Sequence, residues 1–182
     1  MTVATSSTST AHDEAGRRAL VGIAVVQLLA IALWAGGLVA LGAVVAPIVF
    51  RNVPAPTSAD AMTLVFARFD KVTIACGAVA LVMEAAFAVW GGKATRLDVA
   101  RGVALAVAVG LAVTVAAWLT PGIAGLHHAG AVRNFGPDGT ELERLHKLAE
   151  ALAKGELVLL LAVVVLTVAK VARGRARPLL AR

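Results

Sequence analysis

The chain has 182 residues, 59% of them hydrophobic and only 15% charged, with a mean hydropathy of +0.85. Soluble domains are roughly 45–50% apolar and about 25% charged, so this composition excludes an ordinary soluble domain and belongs to the membrane class. The formal charge of +6 would suit nucleic acid, but its distribution argues against that partner, and the single cysteine, Cys76, excludes an internal disulfide.

Residues 1–11 are a Ser/Thr-rich stretch with nothing to bury, and residues 1–18 as a whole are expected to be a disordered cytoplasmic tail. Ala19 to Phe50 is an apolar run broken only by Gln27. A signal peptide has an apolar region of about 7–15 residues, so this is a retained span. Ala32, Gly36 and Ala40 recur at intervals of four and predict a stripe against which another helix packs. Pro47 is expected to end or kink the helix. After a proline-rich turn over Val53 to Ser58, Asp60 is expected to cap a second helix, running from about Ala61 to Trp90. Glu84 is its only formal charge beyond Val72, and Gly91, Gly92 and Lys93 close it.

Gly102 to Leu126 carries no charge and predicts the third span, with Gly102, Ala106, Gly110, Thr114 and Trp118 as a packing stripe and Pro121-Gly122 as its stop. Residues 121–139 are expected to be the one long external connection. Thr140 to Arg177 then predicts a single helix. Thr140 and Glu143 can form a capping box, the first half is amphipathic, the second is uniformly apolar, and it ends among arginines. Only thirteen residues separate Glu156 from Lys170, whereas a helical crossing needs about 20. Counting back from Lys170 therefore brings Glu150, Lys154 and Glu156 into the outer part of the bundle, facing inward. The same count from Trp90 puts Asp70 and Lys71 at similar depth.

The expected architecture is an all-α integral membrane protein, a four-helix bundle with spans at about 19–46, 71–90, 102–120 and 150–170 inside a membrane domain of 19–172. Helices 2 and 4 extend on the outer side, and residues 173–182 form a basic cytoplasmic tail. Ten of the seventeen Lys and Arg lie before the first span, between the second and third, or after the fourth: Arg17, Arg18, Lys93, Arg96, Arg101, Lys170, Arg173, Arg175, Arg177 and Arg182. By the positive-inside rule both termini are cytoplasmic, in the plasma (inner) membrane. The bases then anchor the chain to anionic lipid headgroups, and no nucleic acid is involved.

Three polar features could carry chemistry. The first is an outer layer of Asp70 and Lys71 on one helix and Glu143, His146, Lys147, Glu150 and Lys154 on another. It reads either as an ion-paired collar or as a vestibule for a cation, since charges at membrane depth are costly unless paired. The second is Glu84, expected to hydrogen-bond Gln27 at similar depth. It serves either to fix helix register or to relay a proton or cation. The third is histidine: His146 with His127 or His128 could hold copper or zinc, since imidazole suits both. Bis-histidine haem is not expected, because only His146 falls on a predicted helix. No phosphate-binding glycine loop, zinc-hydrolase motif or nucleophile-base spacing is present, so an enzyme is not expected.

Short motifs spread over residues 30 to 170 carry a likeness: Trp34-Ala35-Gly36-Gly37, Pro47-Ile48-Val49-Phe50-Arg51, Phe66 with Phe69, Leu119-Thr120-Pro121 and Leu145-His146. In these the chain resembles the transmembrane-protein-205-like family of small four-span proteins and, more distantly, the membrane domain of copper-resistance D proteins. The resemblance implies a four-helix membrane bundle and no established reaction. The expected function is binding or conduction of a small cation, a metal included, through the outer polar layer. The alternative is a structural or assembly protein that packs against itself or another membrane complex.

Overall fold

Within hydrocarbon no water is at hand to satisfy a free backbone amide or carbonyl, so a chain this apolar must keep its backbone bonded to itself. The structure, a computed structural model that describes residues 6–90 and 94–176, does so with four helical rods. The first joins α1 (Ser6–Val39), a π-helical segment (Ala40–Val45) and α2 (Ala46–Asn52). The second is α3 (Thr57–Trp90). The third joins α4 (Arg96–Thr114), a second π-helical segment (Val115–Leu119) and α5 (Thr120–His128). The fourth is α6 (Gly136–Ala176). Each holds a stretch long and apolar enough to cross a membrane, and no strand occurs among the described residues. The protein is a multi-pass, all-α membrane bundle.

Pro47, expected to end or kink its helix, and Pro121, expected to stop one, both lie inside continuous rods, each beside a local irregularity. Pro47 and Pro121 occupy the first turns of α2 and α5, each directly after a π segment. Proline lacks the N–H that would bond one turn back, and its ring crowds that carbonyl. A wider π turn accommodates both effects, as in the Thr120 N–H bonded to Val115 O. A break there would leave backbone groups bare in lipid. Residues 121–128 are therefore helix, and the connection shortens to the residues between α5 and α6. Gly130, at φ +81°, closes α5.

Helix starts differ from expectation for equally local reasons. α6 begins at Gly136, with Pro137 and Asp138 in its first turn, so Thr140 lies inside the helix and its hydroxyl donates to Gly136 O at 2.9 Å. Asp60 sits in the first turn of α3 and is not its cap. α1 begins at Ser6, so residues 6–18, expected as a disordered tail, are helical, with Arg18 3.4 Å from Glu14 one turn back. Residues 1–5, Gly91, Gly92 and Lys93, expected to close the second helix, and residues 177–182 lie outside the described residues. α4 starts at Arg96 through a capping box between Thr95 and Asp98, which puts Arg101 inside a helix and not in a loop.

α1 packs chiefly on α3 and α4 chiefly on α6. The core where they meet is Ile31 and Trp34, Cys76 and Ala80, Leu105, Ala108 and Ala112, Leu160 and Val163. The predicted stripes are not in it. Ala32, Gly36 and Ala40, and likewise Ala106, Gly110 and Trp118, are exposed on the bundle surface. Small-residue spacing marks a face that can pack closely, but lipid is as apolar as a neighbouring helix, so the spacing does not decide which face turns inward. Gly37 does pack: a Cβ there would overlap the Phe69 ring, whereas one on Gly36 would meet nothing within 4 Å. Gly37→Ala is expected to destabilise the bundle by about 1–3 kcal/mol through overpacking. Gly36→Ala should stay within about 0.5 kcal/mol of the parent. Thermal unfolding of both in one detergent compares them, and equal melting would contradict the close approach of α1 and α3.

Candidate functional site

Two polar groupings lie inside the bundle, one toward each end. Toward the Lys170 end, Glu84 of α3 accepts from Arg101 of α4 through Nε at 2.8 Å and Nη2 at 2.9 Å, and from Gln27 Nε2 of α1 at 2.9 Å. The hydrogen bond expected between Gln27 and Glu84 is therefore present. The arginine beside it was not anticipated. Gln27 Oε1 lies 3.5 Å from the Thr167 hydroxyl of α6, and Phe87 carries Arg101 over its ring at 4.6 Å and Lys170 at 5.0 Å. Lys170 also pairs with Asp98 at 2.7 Å. Arg101 is 1% exposed, every charge in the group has a partner, and all four rods contribute. Such a closed, bidentate arrangement can fasten helices but offers no free group to a ligand. The signal in the sequence was Glu84 itself, a lone carboxylate in a span, with a base seventeen residues on.

Toward the His146 end the four rods line a partly open cavity of about 310 Å³. Both π segments help to wall it, through Leu41 and Gly42 on one side and Val115 on the other. Most of its lining is apolar, including Leu38, Phe50, Met62, Phe66 and Phe69. Into this setting α3 brings Asp70 and, one turn on, Thr73, and α6 brings Glu156. Glu156 is 2% exposed, and its Oε2 accepts from Trp34 Nε1 at 3.1 Å. Asp70 is half-buried and lines the same cavity. Among the described residues neither is ion-paired with Lys or Arg. Thr73 Oγ1 is buried without a hydrogen-bond partner.

Only part of the predicted outer layer is inside. Lys71 is exposed, and Glu150 and Lys154 pair with each other at 2.6 Å on the bundle surface, 65% and 72% exposed, with Glu150 reaching the cavity rim. Glu143 binds Arg133 at 2.7 Å and Lys147 at 3.3 Å, and Glu141 binds Arg144 at 2.7 Å. The reason is the phase of α6. Its buried positions are Gly139, Leu142, Leu145, Glu156, Leu160, Val163 and Thr167, a three-and-four spacing that includes Glu156 and leaves Glu143, Lys147, Glu150 and Lys154 on the adjacent face.

His127 and His146 do come together, their rings 5.8 Å apart and perpendicular, while His128 is exposed. His146 Nδ1 lies 2.9 Å from Leu142 O. A carbonyl can only accept, so Nδ1 carries the proton and Nε2 is left as the acceptor. Among the described residues no group of three or more His, Cys, Asp or Glu side chains is gathered as a metal ion would need.

Comparison with known proteins gives one finding. The model of a family described as a domain of unknown function, DUF4149, matches residues 29–131, more than half of the chain. The matched stretch includes Trp34, Asp70, Thr73, Glu84, Arg101 and His127, and it stops before α6 with Glu156 and His146. No curated protein and no solved structure matches.

Proposed function

The chain belongs to the DUF4149 family, and from that premise we propose that it binds or conducts a small cation in the cavity at its His146 end. The observation that carries this reading is the pair of carboxyls, Asp70 and Glu156, brought from two helices into an apolar chamber with no Lys or Arg bound to either among the described residues. Carboxylates kept at membrane depth without a basic partner are costly, and a cation between them offsets that cost. In this reading the protein is a binder or conduit and not an enzyme. Copper or zinc is one class of cation among those to be offered, with His127 and His146 as neighbours of the site.

The excess of Lys and Arg at the Lys170 end supports an orientation with both termini cytoplasmic in the inner membrane, the cavity on the outer side and α3 and α6 extended there. Anionic headgroups then meet the exposed Arg17, Arg18 and Arg96. Kinship with the transmembrane-protein-205-like family and the copper-resistance D membrane domain belongs to the same proposal and assigns no residue a role.

The test is thermal unfolding of the purified full chain in lipid nanodiscs with Na+, K+, Mg2+, Zn2+ and organic ammonium ions. A saturating cation is expected to raise the melting temperature by about 5 °C, and Asp70→Asn with Glu156→Gln to abolish the rise. If no cation moves the melting temperature, the reading fails.

A second reading, a structural protein that packs against itself or a partner, is favoured by the outward stripes. A Cβ on Gly36 or Gly110 would meet nothing within 4 Å, so these faces leave room for another helix. Under it, Gly110→Leu is expected to shift a cross-linked oligomer to monomer in membranes. An unchanged cross-linking pattern would remove the Gly110 face from consideration.

A further inference from the structure

Resting on the cation-binding reading, we infer that the occupant of the cavity is a lipophilic organic cation, an amine or quaternary ammonium with an apolar body. Its charge lies between Asp70 and Glu156, and its body lies against Phe50, Met62, Phe66 and Phe69. Size is the first argument. The cavity holds about 310 Å³, roughly ten times the 30 Å³ that a water occupies in the liquid. A bare inorganic ion would fill little of it. Such an ion also needs several donors converging at one point, and among the described residues no three ligating side chains converge.

The walls are the second argument. Aromatic faces attract an organic cation through their quadrupole, and more strongly where water is excluded. A thioether such as that of Met62 fits irregular apolar shapes. Charge is the third. The embedded side chains are acidic, and the one arginine in the lining, Arg133, is already bound to Glu143. An anionic guest would face two carboxyls and, among the described residues, no unpaired Lys or Arg.

Trp34 is a built-in reporter, because its indole N–H rests on Glu156. Trp90 and Trp118 are both exposed on the bundle surface, so Trp90→Phe with Trp118→Phe leaves Trp34 as the single emitter in the full chain. The probes are benzyltrimethylammonium, its uncharged carbon isostere neopentylbenzene, and Na+, Mg2+ and Zn2+, each titrated in nanodiscs. Benzyltrimethylammonium is expected to change Trp34 emission saturably. Asp70→Asn or Glu156→Gln should weaken that binding by about tenfold or more; Gln at 156 can still accept from the indole. Glu141→Gln, on the exposed surface, should leave it unchanged. If an inorganic ion saturates the signal and benzyltrimethylammonium does not, the organic guest is overturned and the cation reading stands. If neopentylbenzene binds as well as its charged twin, or nothing binds, both are overturned; the isostere comparison needs no carboxyl variant to fold.

Discussion

Arg101→Gln is expected to destabilise the bundle by about 3–5 kcal/mol, because removing one partner of a buried ion pair leaves the other charge uncompensated. Arg101 is 1% exposed and makes both of its short bonds to Glu84, itself largely buried at 16%. Glu84→Gln should cost a similar amount. It preserves the contact with Gln27 but leaves a guanidinium whose remaining acid, Asp98, stands 3.6 Å away and is shared with Lys170. The double variant, Glu84→Gln with Arg101→Gln, should recover much of the loss, since two neutral amides can hydrogen-bond where one orphaned charge cannot. Thermal unfolding in detergent reads all three. For a chain of this size each kcal/mol moves the midpoint by roughly 2–4 °C, so each single variant should fall by about 10 °C. Single variants that melt with the parent while a cation flux is lost would make Glu84 a relay and not a fastener.

Trp34→Ala should be comparably severe, at about 3–5 kcal/mol. Trp34 is fully buried at the centre of the core, beside Gly77, where an added Cβ would already sit 3.7 Å from its ring. Trp34→Phe separates the two contributions. The ring volume largely remains, and what is lost is the one hydrogen bond Glu156 receives among the described residues, worth about 1–3 kcal/mol when an acceptor is left bare. Adding Glu156→Leu to Trp34→Phe should restore the melting temperature and abolish cation binding together. A Trp34→Phe chain as stable as the parent would show that Glu156 is satisfied in some other way.

How far the sequence could be read follows from what lipid does and does not distinguish. Four spans were legible because hydrophobic length is a strong signal, and Gln27 with Glu84 was legible because polar groups in a span must find each other. Which face of a helix turns inward was not legible, because an apolar residue is as well placed against lipid as against Ala108. Hence Gly36 and Gly110 read as packing faces while Trp34 and Leu105 do the packing. Pro47 and Pro121 were read with the habits of soluble proteins, where a helix can simply end. Glu156 was expected inside together with Glu150 and Lys154, and only a correct phase for α6 separates them. Arg101 was grouped with the anchoring bases because Asp98 and Thr95, which start α4 five residues before it, were not recognised as a cap.

The Glu84–Arg101 pair also bears on how the chain enters the bilayer in the first place. A lone charge at the centre of an inserting helix costs about 2.5–3.5 kcal/mol. Here the two charges belong to consecutive helices and are only seventeen residues apart. α3 and α4 can therefore leave the insertion machinery as one hairpin in which each charge arrives already neutralised by the other. Gln27, on the helix made earlier, is waiting for the carboxylate, and α6, made later, brings Thr167 to Gln27 and Lys170 to Asp98. The order of synthesis thus matches the order in which these polar groups need one another.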